Sequence, residues 1–368
     1  MKVRYSYLPQ QFKNANDLWA NLKKFVSTGD FTLGKELVKF EKKFSKLMNC
    51  KYAVGVNSGT DAIKLSLIAL GIKPGDEIIT AANTFVATVG AITEIGAKPV
   101  FVDCDDTFCI DVNLIEKKIT KKTKAIVPVH FTGYVCNMNT INKLAKKYKL
   151  KVVEDACQSI LGEYNGKIAG SIGDTGAFSL HPLKNLNVWS DGGVITTNNT
   201  TIYKKLKLLR NHGLRNRDEV EIMGYNSRLD TIQAVVGNWL IPQTRKISDK
   251  RIQNAKYYDK YLSKISKLTI PPRPKNIRSV YHLYIVFVEE RDNLYDFCIK
   301  NKIEAKIHYP VPIYRQKALK YLKNKRGDFP VTDKHAKSII SFPCDQHITK
   351  KEMDFVIKTV KKFYNKLN

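Results

Sequence analysis

The 368-residue chain has no apolar run near the roughly 18 residues that a membrane-crossing helix needs, and no internal repeat or low-complexity segment. Its first residues carry charge at Lys2 and Arg4 with no long apolar stretch behind them, so no signal peptide is expected. Cysteine is sparse. There are seven, widely spaced and without a Cys-x-x-Cys pair, which argues against a disulfide framework or a zinc site. No His-x-x-x-His pair is present, and no metal is expected. A soluble, cytoplasmic protein with free thiols and no membrane partner follows as the expectation.

Acidic residues are also scarce, 34 against 62 lysines and arginines, for a formal net charge of +28. Such an excess raises nucleic-acid binding or attraction of an anionic ligand. The lysines are dispersed, however, in pairs such as Lys117-Lys118, Lys146-Lys147 and Lys361-Lys362 on what read as helix surfaces, and no basic tail occurs. A solvated lysine-rich surface is the better reading, with no nucleic-acid partner.

What is there is alternation. Tyr52 to Val56 reads as a strand, and Thr60 to Leu70 has helical spacing with Ile63, Leu67 and Leu70 on one stripe. Strand-like runs follow at 77–80, 99–103, 125–129 and 151–155, with helices at 85–95 and 138–148. This predicts an α/β domain with a mostly parallel sheet. In such sheets ligands gather at the carboxyl ends of the strands, where the Asn57-Ser58-Gly59 turn, Asp103 and Asp155 fall. After about residue 245 the character changes. A polar, tyrosine-rich helical stretch at 249–264, a strand at 282–288 and helices near 294–301 and from Lys350 predict a smaller α+β domain. The expected division is 1–245 and 246–368.

Three motifs carry chemistry. Asn57-Ser58-Gly59-Thr60-Asp61 joins a strand to a helix, and free amides at a helix start attract anions. It is either a phosphate cradle or an ordinary capped helix. Asp155 ends the strand Val152-Val153-Glu154-Asp155. A carboxylate there can hold a pyridine nitrogen protonated, or it can cap the next turn. Lys184 lies among Leu180, Leu183 and Leu186, just before Asp191-Gly192-Gly193. An amine in apolar surroundings loses its charge more easily and can attack an aldehyde. Alone it is one lysine of many. Phosphate-type turn, strand-end acid and embedded lysine together suit pyridoxal phosphate.

The chain resembles the sugar aminotransferases of the DegT/DnrJ/EryC1/StrS family. The resemblance rests on Asp30 to Gly34, Val56 to Ala62, Asn83 to Thr88, Glu154 to Ser159, Phe178 to Leu186, Asp191 to Gly193, Arg210 to Gly213, Asn226 to Asp230 with Gln233-Ala234, and Ile307 to Pro310. These occur in family order over almost the whole chain. The resemblance implies the fold-type I architecture: an α/β large domain with a mostly parallel mixed sheet between helices, plus a smaller α+β C-terminal domain. It implies that Lys184 bonds the pyridoxal 5'-phosphate aldehyde and shuttles protons, that Asp155 pairs with the pyridinium, and that Gln158 contacts the ring hydroxyl. Phe85 would stack on the ring, and Ser58, Gly59, Thr60 and Ser179 would hold the phosphate. Asn226 would reach the cofactor of a neighbouring subunit in a homodimer with shared active sites. His308, a catalytic candidate, and Tyr309 would lie near the sugar. Arg210, His212 and Arg228 would position substrate or the partner subunit.

The activity so implied moves the amino group of L-glutamate, through pyridoxamine 5'-phosphate and with release of 2-oxoglutarate, to a keto group of a nucleotide-linked sugar. The Asn57–Asp61 and Asn83–Phe85 stretches favour carbon 3 over carbon 4. The product would feed surface polysaccharide, such as lipopolysaccharide, or a glycosylated metabolite. Some relatives are sugar dehydratases with histidine in place of the lysine, so Lys184 argues for amino transfer. A regulatory nucleic-acid binder on the same fold is the third reading, prompted by the charge.

Overall fold

A computed structural model of the protein describes residues 1–366. Leu367 and Asn368, the end of the expected C-terminal domain, lie outside the described residues. The large sheet has seven strands: β1 Tyr52–Val56, β2 Glu77–Ala81, β3 Lys98–Val102, β4 Thr123–Val127, β5 Lys151–Asp155, β6 Thr175–Ser179 and β7 Gly193–Thr197. Their order is β1-β7-β6-β5-β4-β2-β3. Only β7 runs against the rest, pairing antiparallel with β1 and β6, so the sheet is mixed and mostly parallel, as the sequence predicts.

Helices cover both faces, which is why the strands read as continuous apolar runs rather than alternating ones. Successive residues still point to opposite sides. Ile126, Val152, Phe178 and Val194 enter a cluster with Phe40 and Phe44. Val127, Val153, Ala177 and Ile195 enter another with Ile63, Leu67 and Ile92. Burying each large aliphatic side chain contributes about 1.5–3 kcal/mol.

Several helices begin where the sequence offers caps. Gly59–Ala69 starts after Ser58, whose hydroxyl accepts the Asp61 amide at 3.0 Å, and Met138–Tyr148 starts after Asn137, which accepts from Thr140. Val86–Glu94 matches the helix expected at 85–95. Strand β4 stops at Val127 rather than at 129, because Pro128 has no N–H to give the ladder. The chain continues only as an isolated bridge from Val129 to Asp155.

The polar helix expected at 249–264 spans Thr244–Leu262. Ile247 packs in the first cluster, while Ala255, Tyr258 and Leu262 pack in a separate one. That cluster surrounds a three-stranded antiparallel sheet of Leu268–Thr269, Tyr284–Val288 and Ile339–Phe342. The helices Arg291–Lys300 and Lys350–Asn365 close it through Leu294, Cys298, Val356 and Val360. Val3 and Tyr7 pack there too. Val3 bridges Ile303, and the Tyr5 amide donates to Glu304 Oε2 at 2.9 Å.

Asp103 departs from expectation. Its carboxylate does not face a ligand site but caps the helix Pro330–Ser338, accepting from the Val331 and Thr332 amides at 2.9 Å each.

Candidate active site

A cleft of about 340 Å³ opens between the carboxyl ends of the large sheet and the edge of the smaller one. The large-sheet side supplies Ser58, Gly59, Thr60, Asp155, Ser179 and Lys184, with Phe85 and Gln158 beside them. The small-sheet side supplies His282, His308 and Tyr309, and Tyr5 completes the rim. Ten of the fourteen site residues expected from the sequence, all but Arg210, His212, Asn226 and Arg228, thus meet in one cavity.

Asp155 ends β5, buried. Its Oδ2 accepts the Thr88 hydroxyl at 2.7 Å, and its Oδ1 accepts the Cys157 amide at 3.2 Å. Thr84 Oγ1 lies 2.7 Å from Thr88 Oγ1, so a hydroxyl chain fixes the carboxylate. The neighbouring Glu154 faces away. It accepts from the amides of Gly170, Ile172 and Gly173 at 2.7–2.8 Å and contacts His130 Nε2 at 2.9 Å. His130 Nδ1 accepts the Cys136 amide, which leaves the ring proton on Nε2 to bond Glu154. Strand periodicity thus separates two adjacent acids into a ligand-facing one and an anchoring one.

The Gly59 and Thr60 amides open a helix and have no protein acceptor among the described residues. A Cβ on Gly59 would lie 2.8 Å from Ser179 Cβ and 2.9 Å from Cys157 Sγ. Glycine therefore lets the turn close on β6 while its N–H stays free. This is a cradle for a phosphate-sized anion. The Ser58 hydroxyl is engaged as the helix cap.

Lys184 follows β6 in a turn held by its own amide donating to His181 O at 2.8 Å. The side chain is half-buried, and burial lowers its pKa below the ordinary lysine value, opposed by Cys157 and Asp155. Burial, then Lys306 and Lys184, push His308 down to about 4, so its imidazole is neutral at pH 7. His308 Nδ1 pairs with Ser341 Oγ at 2.8 Å. Tyr309 packs between Phe85 and Phe131, with ring centres 5.9 and 6.0 Å away. Phe85 is half-exposed, its ring toward the cavity. Gln158 Oε1 accepts the Thr132 amide at 2.7 Å, leaving its NH₂ as the remaining donor.

Asn226 and Arg228 are not brought into this cavity. They lie on an arm whose base pairs Asn211 with Asn226, and Arg228 Nη1 donates to Asn211 Oδ1 at 3.1 Å. Arg210 is buried away from the cleft, where it pairs with Glu41 and donates to Gly55 O at 2.9 Å.

An anion cradle, a strand-end acid and a lysine of weakened basicity suit a phosphorylated pyridine aldehyde, and comparison with known proteins agrees. Residues 13–361 match the DegT/DnrJ/EryC1/StrS aminotransferase family. The chain belongs to that family. One relative is a Geobacillus stearothermophilus "pleiotropic regulatory protein", 35% identical over 99% of both chains. A dTDP-3-amino-3,6-dideoxy-alpha-D-galactopyranose transaminase from Aneurinibacillus thermoaerophilus is 37% identical over 93% of this chain and 94% of its own. Among solved structures, Streptomyces venezuelae DesV in complex with a ketimine intermediate superposes with a TM-score of 0.96 at 33% identity, covering 98% of each chain. Bacillus subtilis NtdA, solved with pyridoxamine phosphate bound, gives 0.92 at 31% identity, covering 99% of this chain and 85% of its own. These family members carry the fold-type I architecture that the sequence predicts.

Sequence reasoning missed Thr84, Thr88, Tyr5 and His282. The two threonines had a signal: they stand four apart, on one face of the helix start that carries Phe85. Tyr5 had none, since it reaches the cleft through a contact 299 residues away in sequence.

Proposed function

We propose that this chain is a pyridoxal 5'-phosphate-dependent aminotransferase that transfers the amino group of L-glutamate to a keto group of a nucleotide-linked sugar. The single observation that carries the reading is the meeting of Lys184, Asp155 and the Gly59–Thr60 amides in one cavity. The cofactor supplies an aldehyde for amine exchange and a protonated ring that withdraws electrons from the substrate carbon.

The chain's own residues do the rest. The Gly59 and Thr60 amides and Ser179 hold the phosphate, with the helix start favouring its charge. Asp155, steadied by Thr88, presents a negative oxygen to the ring nitrogen and keeps it charged. The Gln158 NH₂ donates toward the ring hydroxyl, and Phe85 covers the ring face. Lys184, its charged form disfavoured by burial, moves a proton between the two sides of the reacting centre as general base and acid. Neutral His308 and the Tyr309 hydroxyl meet the sugar and narrow the access of water.

Residues 1–245 act as the cofactor-binding domain, apart from Val3 and Tyr7, which pack with the other cluster, and residues 246–368 as the small domain that closes the cleft. Asn226 and Arg228, which do not line their own cavity, serve a second copy of the chain in a homodimer. Among the described residues no helix is long and apolar enough to cross a membrane, and the reading places the enzyme in the cytoplasm, supplying amino sugars to a surface polysaccharide. Carbon 3 is the favoured position, supported by the turn motifs and by the 3-amino product in the name of the Aneurinibacillus relative.

Two measurements test the reading. Purified protein reconstituted with the cofactor is expected to absorb in the visible, with the band bleached by L-glutamate. Lys184→Ala is expected to lower multiple-turnover transamination by about 1,000-fold or more. Full activity in that variant would end the assignment. Product analysis with a keto-deoxy nucleotide sugar separates amino transfer from dehydration. Nucleic-acid binding that weakens steeply with salt would favour the regulatory alternative.

A further inference from the structure

The arm from Asn211 to Arg228 carries two expected binding residues that do not line their own cleft, so something must set its direction. It is a small hairpin pinned by bridges Asn211–Asn226 and Leu214–Val220, and its returning limb exposes Val220 and Met223. At its base lies Lys64, in the second turn of the Gly59–Ala69 helix and buried to 7% exposure. The Lys64 ammonium is 2.9 Å from Asp61 Oδ1 and 3.2 Å from Glu94 Oε1, and it sits over the Tyr225 ring at 4.7 Å. The second oxygen of Asp61 accepts the Ser227 hydroxyl at 2.7 Å, and Ser227 Oγ accepts the Asn57 amide at 3.5 Å. The residues on either side of Asn226 are therefore both tied, through one buried cation and its carboxylate, to the helix that begins with Gly59 and Thr60.

A methionine would fill the same space, and buried ion clusters add little stability over apolar side chains of equal volume. What the ammonium supplies is direction: two carboxylates and a ring face fix one arrangement of Tyr225 and Ser227, and so of Asn226 between them. We propose that Lys64 is a positioning residue that aims Asn226 at the cofactor phosphate in a second copy of this chain. The proposal rests on the shared-site reading above. Lys64 acts in trans, through the arm, rather than on the cradle of its own subunit.

Heterodimers separate the two routes. Lys184→Ala removes the visible absorbance of one site, so only the other subunit reports pyridoxal phosphate binding in a titration. A dimer of wild-type with Lys64→Met/Lys184→Ala gives the reporting site an unclamped arm. A dimer of Lys64→Met with Lys184→Ala gives it a wild-type arm. The first is expected to bind the cofactor about 10-fold more weakly than a wild-type/Lys184→Ala control, the loss of one bond to a charged group, and the second to match the control. Lys64→Arg in place of Lys64→Met is expected to restore most of the affinity. Ser227→Ala, which loosens the arm by removing its bond to Asp61 and keeps the Lys64 ammonium in place, is expected to reproduce the trans effect and serves if Lys64→Met does not fold. Unchanged affinity in the first dimer, equal weakening in both, or weakening only in the second overturns the proposal. A wild-type protein that binds no cofactor, or binds it fully as a monomer, overturns the shared-site reading itself.

Discussion

Thr88 donates its hydroxyl hydrogen to Asp155 Oδ2 across 2.7 Å, with Thr84 2.7 Å behind it. The acid is thus held by a neutral donor and left to find its positive partner in the cleft. Thr88→Val keeps the volume and removes the bond; kcat is expected to fall about 10-fold. Asp155→Asn keeps the shape and removes the charge; kcat is expected to fall on the order of 100-fold or more, as for loss of a preorganised electrostatic contact. Steady-state rates with glutamate and circular dichroism check both.

Gly59 is fixed by its neighbours. With Ser179 Cβ 2.8 Å and Cys157 Sγ 2.9 Å from an added Cβ, Gly59→Ala must push the turn from β6. Overpacking of this kind costs about 1–3 kcal/mol. The displaced amides are expected to weaken cofactor binding more than they lower stability. Titration with pyridoxal phosphate beside thermal unfolding of the cofactor-free protein measures the two effects.

His308 gives a pH signature. Its folded pKa is about 4 against an ordinary 6.5, mainly through burial. As pH falls below 6.5 the unfolded chain takes up a proton that the folded site refuses until about 4. The contribution of the neutral ring is thus complete above 6.5 and is lost progressively between 6.5 and 4. Wild-type is expected to lose on the order of 2 kcal/mol more than His308→Gln between pH 7 and pH 4, after allowance for partial exposure. Urea unfolding of both proteins at the two pH values tests this.

Arg210 reads in sequence as a substrate or interface residue, yet it lies buried beside Glu41 and binds Gly55 O. Glu41 in turn accepts the Gly55 amide at 2.8 Å, so the pair clamps β1 next to the cradle. Arg210→Met strands a buried carboxylate and is expected to cost about 3–5 kcal/mol. KM for both substrates is expected to stay near wild-type in the protein that remains folded.

Five of the seven strands of the large sheet were legible because each carries its own apolar run, which is local information, whereas Thr175–Ser179 and Gly193–Thr197, short runs broken by glycine and threonine, went unread. Lys184, Asp155 and the Gly59 turn were legible for a related reason: each ends or follows a strand, and the parallel sheet gathers such ends together. Arg210 and Asp103 were misread because an exposed ligand contact and a buried clamp use the same side chain, and only packing separates them. His282 was hidden by strand assignment. It was expected to open the strand, but pairing starts at Tyr284, which leaves the imidazole free at the cleft wall.

The pairing of Val3 with Ile303 and of Tyr7 with Glu352 spans nearly the whole chain. In the order of synthesis Val3 and Tyr7 precede their partners by some three hundred residues. The large sheet, whose strands end at Thr197, can form while Tyr5 and Ser6 still hang unattached. Tyr5 is anchored through Glu304, so the rim of the cleft closes only when residues more than a hundred positions beyond the last strand of the large sheet are in place.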